Sequence, residues 1–256
     1  MPFVSTSVGN LFTLRRGDSG PPLICIHGAG GSARHWGLLL EPLATVAQVY
    51  ALDLPGHGRS SSTNRVVSIA GYAQAVIAFH TALALPPALI VGHSMGGAIA
   101  LQLAVQAPQI VAGLGLVGSA ARLRVAPALL TGLAGDEAAR HTAITTLVEW
   151  LFSPAADPAL RTEAAAEYAA LDPALLLADL QACDGFDLRS QLTAIHCPAL
   201  VVTGADDRLT PPKLGAELAA GLGIAPQLLP GVGHMPMLEA PDLLSELLRA
   251  WIVTLA

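Results

Sequence analysis

Val91-Gly92-His93-Ser94-Met95-Gly96-Gly97 is the stretch on which the reading of this chain turns. An apolar run, Ala88-Leu89-Ile90-Val91, leads into it, and a helix-like run from Ala98 to Ala107, stopped by Pro108, leads out. Strand, tight turn, helix is the setting in which Gly-x-Ser-x-Gly spacing has chemical meaning, because the serine then sits on a strained turn with its hydroxyl exposed at the end of a sheet. Glycine is needed on both sides, since a Cβ at 92 or 96 would crowd the neighbouring strand and helix. Backbone N–H groups at the start of the following helix would face negative charge developing beside Ser94. The plainer alternative is a glycine-rich turn in which Ser94 only caps the helix.

Outward from this stretch the chain alternates. Upstream, Pro22-Leu23-Ile24-Cys25-Ile26 and Val49-Tyr50-Ala51-Leu52 are short continuous apolar runs of the kind buried on both faces of a parallel sheet. Trp36, Leu39, Leu40, Leu43 and Val46 lie at helical spacing between them, with Ser32 placed to cap. Ser68 is placed to cap a further helix running to about Leu85. Val111 to Val117, Pro198 to Thr203 and Gln227 to Leu229 read as later strands, and Pro241 to Ile252 as an amphipathic closing helix. The expected fold class is therefore α/β, a mostly parallel sheet with helices on both faces. Between Ala120 and Gly185 the alternation stops and the pattern is helical throughout, with Asp157-Pro158 and Asp172-Pro173 each placing a cap residue before a first-turn proline. This divides the chain into a core of 1–119 and 186–256 and an all-helical insertion of 120–185.

The chain has 256 residues, 53% of them apolar and only 12% charged, which is ample for one large core. The mean hydropathy of +0.56 invites a search for membrane spans. Every long apolar run is broken by Gly, Pro or charge well short of ~18 residues. Met1-Pro2-Phe3-Val4-Ser5 lacks the basic start and apolar stretch of a signal peptide, so a cytoplasmic location is expected. A net charge of −6 without a basic run gives nucleic acid no electrostatic footprint. The three cysteines and eight histidines show no metal-ligand spacing, so no metal and no cofactor is expected. Oligomeric state has no signature in the residues.

A nucleophilic serine needs a base to take its proton and an acid to orient that base. Two later strand ends supply them, Asp206-Asp207 after the 199–203 run and His234 after the 227–229 run, in the chain order Ser, Asp, His. With His27-Gly28, Asp53-Leu54-Pro55-Gly56-His57-Gly58-Arg59-Ser60, Gly92 to Gly97, Gly204-Ala205-Asp206-Asp207 with Pro211, and Gly233-His234, the sequence resembles the α/β-hydrolase family over nearly its whole length. The resemblance implies Ser94 as nucleophile, His234 as general base and acid, and Asp207 rather than Asp206 as the acid, since the acid usually lies three residues after the glycine. It implies an oxyanion hole from the Ala29 and Met95 N–H groups, with Gly30 as alternative to Ala29, and a helical cap over the site. His27, Gly28, Gly30, His93, Arg124 and Trp150 are the candidate substrate-binding residues. The implied activity is that of a carboxylesterase acting through an acyl-enzyme on short- to medium-chain apolar esters, small molecules. Lactone, thioester or carbon–carbon bond hydrolysis remain open on the same triad, as does a ligand-binding receptor with little turnover.

One competing pattern is Gly28-x-Gly30-x-x-Ala33 followed by Asp53, which fits a dinucleotide fingerprint. It leaves Ser94, Asp207 and His234 without a role. His57 reads as a structural turn residue, and Cys25 as a small buried hydrophobe.

Overall fold

The computed structural model describes residues 2–61 and 66–255; Met1, in the segment weighed as a leader, and Ala256 lie outside the described residues. The described residues form an eight-stranded sheet in the order β1-β2-β4-β3-β5-β6-β7-β8. β1 (Phe3–Thr6) and β2 (Gly9–Arg16) run antiparallel at one edge. β3 (Pro22–Ile26), β4 (Gln48–Leu52), β5 (Ala88–His93), β6 (Val111–Val117), β7 (Ala199–Gly204) and β8 (Gln227–Leu229) are parallel. The helices are α1 (Leu40–Ala44), α2 (Ile69–Ala82), α3 (Met95–Gln106), α4 (Pro127–Ala134), α5 (Glu137–Leu151), α6 (Pro158–Ala170), α7 (Pro173–Asp184), α8 (Pro212–Gly221), α9 (Pro236–Glu239) and α10 (Pro241–Thr254).

The apolar runs of β3 and β5 are buried along their whole length, as their composition requires. Alternate side chains feed opposite faces. Ile24, Ile26 and Ile90 pack with Val76, Phe79, Ile99 and Leu218 on one side. Leu23, Cys25, Leu89 and Val91 pack with Leu43, Leu244 and Leu248 on the other. Chain order leaves β4 and β5 on opposite sides of β3, so the connections after β3 and β5 diverge and open a crevice at their carboxyl ends. Ile26 is paired with Gly92 there, which brings His27-Gly28-Ala29 beside His93-Ser94.

One expected helix takes another form. The 33–46 pattern is a 3-10 turn over Ala33–Leu39 followed by the short α1, because Pro42 has no N–H to continue an i−4 ladder and serves instead in the first turn of a new helix. Ser32 does not cap it with its side chain. The Asp53 carboxylate takes that part, accepting from Ala33 N at 2.6 Å and from Arg59 N at 2.8 Å. Ser68 does cap α2, accepting from Gly71 N at 3.1 Å.

Between β6 and β7 the chain is helical, α4 to α7, and its entry and exit are drawn together by a bridge between Arg122 and Asp187. Asp136, Asp157 and Asp172 cap α5, α6 and α7 through their carboxylates. No described helix is long and apolar enough to cross a membrane.

Candidate active site

The turn at Ser94 is built by exclusion. A Cβ on Gly92 would strike Gly96 O, and one on Gly96 would strike Ile26 O, so β5, α3 and β3 close on each other only through glycine. Ser94 is thereby held at φ 54°, ψ −115°, a region costing a non-glycine residue about 1–3 kcal/mol. Its backbone is fixed there by Ser94 N donating to Val117 O (2.9 Å) and by Ser94 O accepting from Gly97 N (2.9 Å) and Ser119 Oγ (2.8 Å). The side chain makes no cap hydrogen bond to α3, which sets aside the reading of Ser94 as a mere cap.

The two downstream strand ends meet. His234 Nδ1 lies 2.8 Å from Asp207 Oδ2, both residues being nearly inaccessible to solvent. Asp207 also accepts from Leu209 N (2.9 Å), Thr210 N (2.8 Å) and Thr210 Oγ1 (2.7 Å), so its carboxylate is fixed before it meets the ring. A carboxylate only accepts, which places the proton on Nδ1 and leaves the Nε2 lone pair free. Asp206 turns the other way and accepts from Ser153 Oγ at 2.7 Å. The His234 backbone is held from both sides. Its N–H donates to Leu151 O (2.8 Å), and its carbonyl accepts from His93 Nε2 (2.7 Å). Burial, with His234 alongside, pushes His93 well below the usual histidine range, so the ring is neutral and donates from Nε2. Glu239 braces the same loop, accepting from Gly233 N (3.0 Å), Met235 N (3.1 Å) and Ser153 N (2.8 Å).

The loop after β3 has its polar groups assigned almost completely. His27 Nδ1 donates to Gly28 O (2.8 Å) while His27 Nε2 accepts from Leu54 N (3.1 Å). That pair of bonds needs a neutral ring, consistent with burial and the neighbouring His57 pushing His27 well below its ordinary range. Gly28 O also accepts from Gly31 N at 3.1 Å. In the next peptide, Ala29 O accepts from Tyr168 Oη (3.1 Å) and Gly30 N donates to Asp179 Oδ2 (2.8 Å). Of the four polar groups in the two peptides flanking Ala29, only Ala29 N–H has no partner among the described residues. Gly30 N–H is consumed by Asp179, and Ala29 is the residue of the two that lines the cavity described next. Met95 N–H, at the first position of α3, is likewise without a described partner, as first-turn amides are.

Gly28, Ala29, His93, Ser94 and His234 line one cavity of about 40 Å³, walled by Leu147, Leu151, Tyr168, Leu180 and Leu209. An adjoining cavity of about 70 Å³ shares Ala29, Ser94, Leu147, Leu180 and Leu209 and extends to Leu123, Arg124 and Leu129. Ser94, Asp207, His234, Ala29 and Met95 are thus brought together at one end of the sheet. Arg124 stands exposed at the rim, and also borders an outer groove containing Arg122 and Arg189, both paired with Asp187. His27 and Gly30 support the loop from behind rather than lining the cavity. Trp150 does not line it either. Leu147 and Leu151, one turn apart on α5, face inward, while Trp150 carries the Arg208 guanidinium at 5.7 Å from its ring centroid. The dinucleotide pattern dissolves, since the Asp53 carboxylate is used up within the core by Ala33 N and Arg59 N.

Sequence reading missed Tyr168, Asp179, His35 and Glu239. His35 lines the cavity and pairs with Glu167 at 3.2 Å. Among the described residues no group of His, Cys, Asp or Glu is arranged to hold a metal ion.

Residues 23–247 match the model of the alpha/beta hydrolase family. A dihydrolipoyllysine-residue acetyltransferase component of the acetoin cleaving system from Pseudomonas putida is 33% identical over 92% of this chain, which spans 64% of that protein's length. A pimeloyl-[acyl-carrier protein] methyl ester esterase from Neisseria meningitidis is 31% identical over 92% of this chain and 94% of its own. A solved thermophilic esterase superposes with a TM-score of 0.86 at 30% identity, covering 99% of this chain and 97% of that one. With esterases among its relatives, and with the sheet order and strand-end loops described above, the chain is a member of the alpha/beta hydrolase family.

Proposed function

We propose that the protein is a serine hydrolase that cleaves small carboxylic esters through an acyl-enzyme, with Ser94 as nucleophile, His234 as base and acid, and Asp207 orienting the ring. The observation that carries this reading is the fixed Asp207–His234 pair opening onto the cavity that also holds Ser94 in its strained turn. Ser94 Oγ attacks the ester carbonyl and its proton passes to His234 Nε2, the nitrogen that Asp207 leaves unprotonated. Charge building on the carbonyl oxygen is met by the Met95 and Ala29 N–H groups, which have no competing partner. His234 then returns the proton to the departing alkoxide, and the alcohol leaves. Water, deprotonated by the same Nε2, attacks the acyl-enzyme and releases the acid and Ser94.

Residues 120–185 act in this reading as a cap over a core formed by 1–119 and 186–256, and supply the leucines that touch the acyl chain. Cavities of about 40 and 70 Å³ suit the short end of the expected acyl range. The test is a p-nitrophenyl ester panel from acetate to decanoate, with Ser94→Ala protein as blank and a fluorophosphonate probe to report the serine. Turnover highest at two to four acyl carbons, with labelling lost in Ser94→Ala, is the expected result. Saturable ester binding without turnover would favour the receptor reading instead.

A further inference from the structure

Asp179, on α7, is a buried carboxylate whose hydrogen bonds all run inward, to the core. Its side chain is fully buried, and it accepts from Gly30 N (2.8 Å), His57 Nε2 (2.8 Å) and Tyr72 Oη (2.6 Å). These donors come from three core elements, namely the loop after β3, the turn after β4, and α2. A buried carboxylate is tolerated only when it is compensated in this way. Its placement is specific, because the peptide it holds by the N–H is the same one that Tyr168 Oη holds by the carbonyl. Burial and the nearby Glu167 and Asp179 charges push the Tyr168 phenol above its ordinary range, so it stays a donor. Gly30, at φ 65°, leaves no slack, since a Cβ there would come within 3.0 Å of Leu171, Leu176 and Tyr168.

We propose that Asp179 and Tyr168 are positioning residues for catalysis: they clamp the Ala29–Gly30 peptide from its two ends and thereby aim the adjacent Ala29 N–H at the substrate carbonyl. The inference rests on the acyl-transfer reading above and deepens it. A peptide group is planar, so fixing both its oxygen and its hydrogen fixes its rotation. With Gly28 O already tied to His27 and Gly31, both peptides flanking Ala29 are locked, and the one unpaired N–H between them has a single direction. An oxyanion donor works by being aimed before the charge appears, and misaiming costs rate while sparing ground-state binding. The helical segment therefore does more than roof the cavity, because it completes the catalytic electrostatics from outside the triad.

The experiment compares wild type, Tyr168→Phe, Asp179→Asn and Asp179→Ala. It measures kcat and KM on p-nitrophenyl butyrate, and affinity for a butyl trifluoromethyl ketone and its unfluorinated methyl ketone. The fluorinated ketone adds serine and forms an oxyanion, whereas the methyl ketone only occupies the cavity. Tyr168→Phe is expected to lower kcat about tenfold and Asp179→Ala about a hundredfold, on the scale by which small misplacements and lost oxyanion donors act. KM and methyl ketone affinity should stay within about twofold, while trifluoromethyl ketone affinity falls in step with kcat. Asp179→Asn keeps an acceptor for Gly30 N and should recover most of the loss. Should Asp179→Ala fail to fold, Tyr168→Phe decides, since it removes one hydroxyl at the cavity wall. Unchanged kcat in Tyr168→Phe and in folded Asp179→Ala, or equal losses for both ketones, would overturn the clamp while leaving the hydrolase reading intact. Wild type that neither turns over esters nor reacts with a fluorophosphonate would overturn both.

Discussion

The strand-end loops and the helical segment between β6 and β7 reach the same cavity by different means. At the strand ends, position is enforced by backbone. Glycine at 92 and 96 lets three elements close on Ser94, and Asp207 is fixed by two amides and a hydroxyl of its own turn before it touches His234. In the helical segment, position is enforced by side chains that reach across long stretches of sequence, as Asp179 and Tyr168 do to the loop at 28–31. Backbone enforcement leaves little freedom, and in the proposed mechanism it carries the reacting atoms. Side-chain enforcement is adjustable, and in the proposed mechanism it carries the acyl pocket and the aim of one donor.

Substitutions can break this comparison at several depths. The deepest is Ser94→Ala, expected to lower kcat by roughly 10³-fold or more while the protein stays folded, because the turn is set by its neighbours rather than by the hydroxyl. Next is Asp207→Asn, expected to cost roughly 10³–10⁴-fold by inverting the His234 tautomer. Asp206→Asn should stay within about threefold, since an amide oxygen can still accept from Ser153 Oγ. If steady-state kinetics ranks these two the other way, the assignment of the acid is wrong. Leu147→Trp on α5 should sharpen the contrast without touching chemistry, narrowing the cavity so that butyrate loses about tenfold relative to acetate in kcat/KM.

The smallest effect is on stability. His27 and His93 are both held neutral by burial, well below the ordinary value of 6.5. The unfolded chain therefore binds more protons than the folded one once pH drops below about 6.5, and stability is full above that value and lost progressively beneath it. Each ring contributes up to ~1.4 kcal/mol per pH unit in that window. Urea midpoints measured from pH 7.5 to 5 should fall, and His27→Asn should flatten the slope although it lowers the midpoint at pH 7.5.

Much of this was legible in residue order, for a physical reason. Ser94, Asp207 and His234 each follow a short apolar run and sit beside glycine, so local sequence marks both the strand end and the turn that exposes the side chain. The family resemblance selects Asp207 over Asp206 by its spacing from Gly204; in the structure Asp207 Oδ2 meets His234 Nδ1, and Asp206 Oδ2 meets Ser153 Oγ. Asp179 had no such mark. Within Leu175-Leu176-Leu177-Ala178-Asp179-Leu180 a lone acid on a helix reads as a solvated position, and only the partners at Gly30, His57 and Tyr72 show which way it faces. Trp150 failed for the same reason. An aromatic residue on α5 is a fair candidate for a pocket wall until the helix rotation places Leu147 and Leu151 inward instead. The break at Pro42 was visible in the sequence but was outweighed by the apolar periodicity around it.

The bond between Asp179 and Gly30 also bears on how such a molecule can be rebuilt. A helical segment exchanged for one from a relative would replace Leu147, Leu151, Tyr168 and Leu180, and with them most of the apolar cavity wall. If the proposed clamp operates, the chimera would keep the full rate only where the incoming α7 presented an acceptor opposite residue 30 and the incoming α6 a donor opposite residue 29. On that proposal specificity and rate are inherited together, and a graft designed on pocket shape alone would change the first and lower the second.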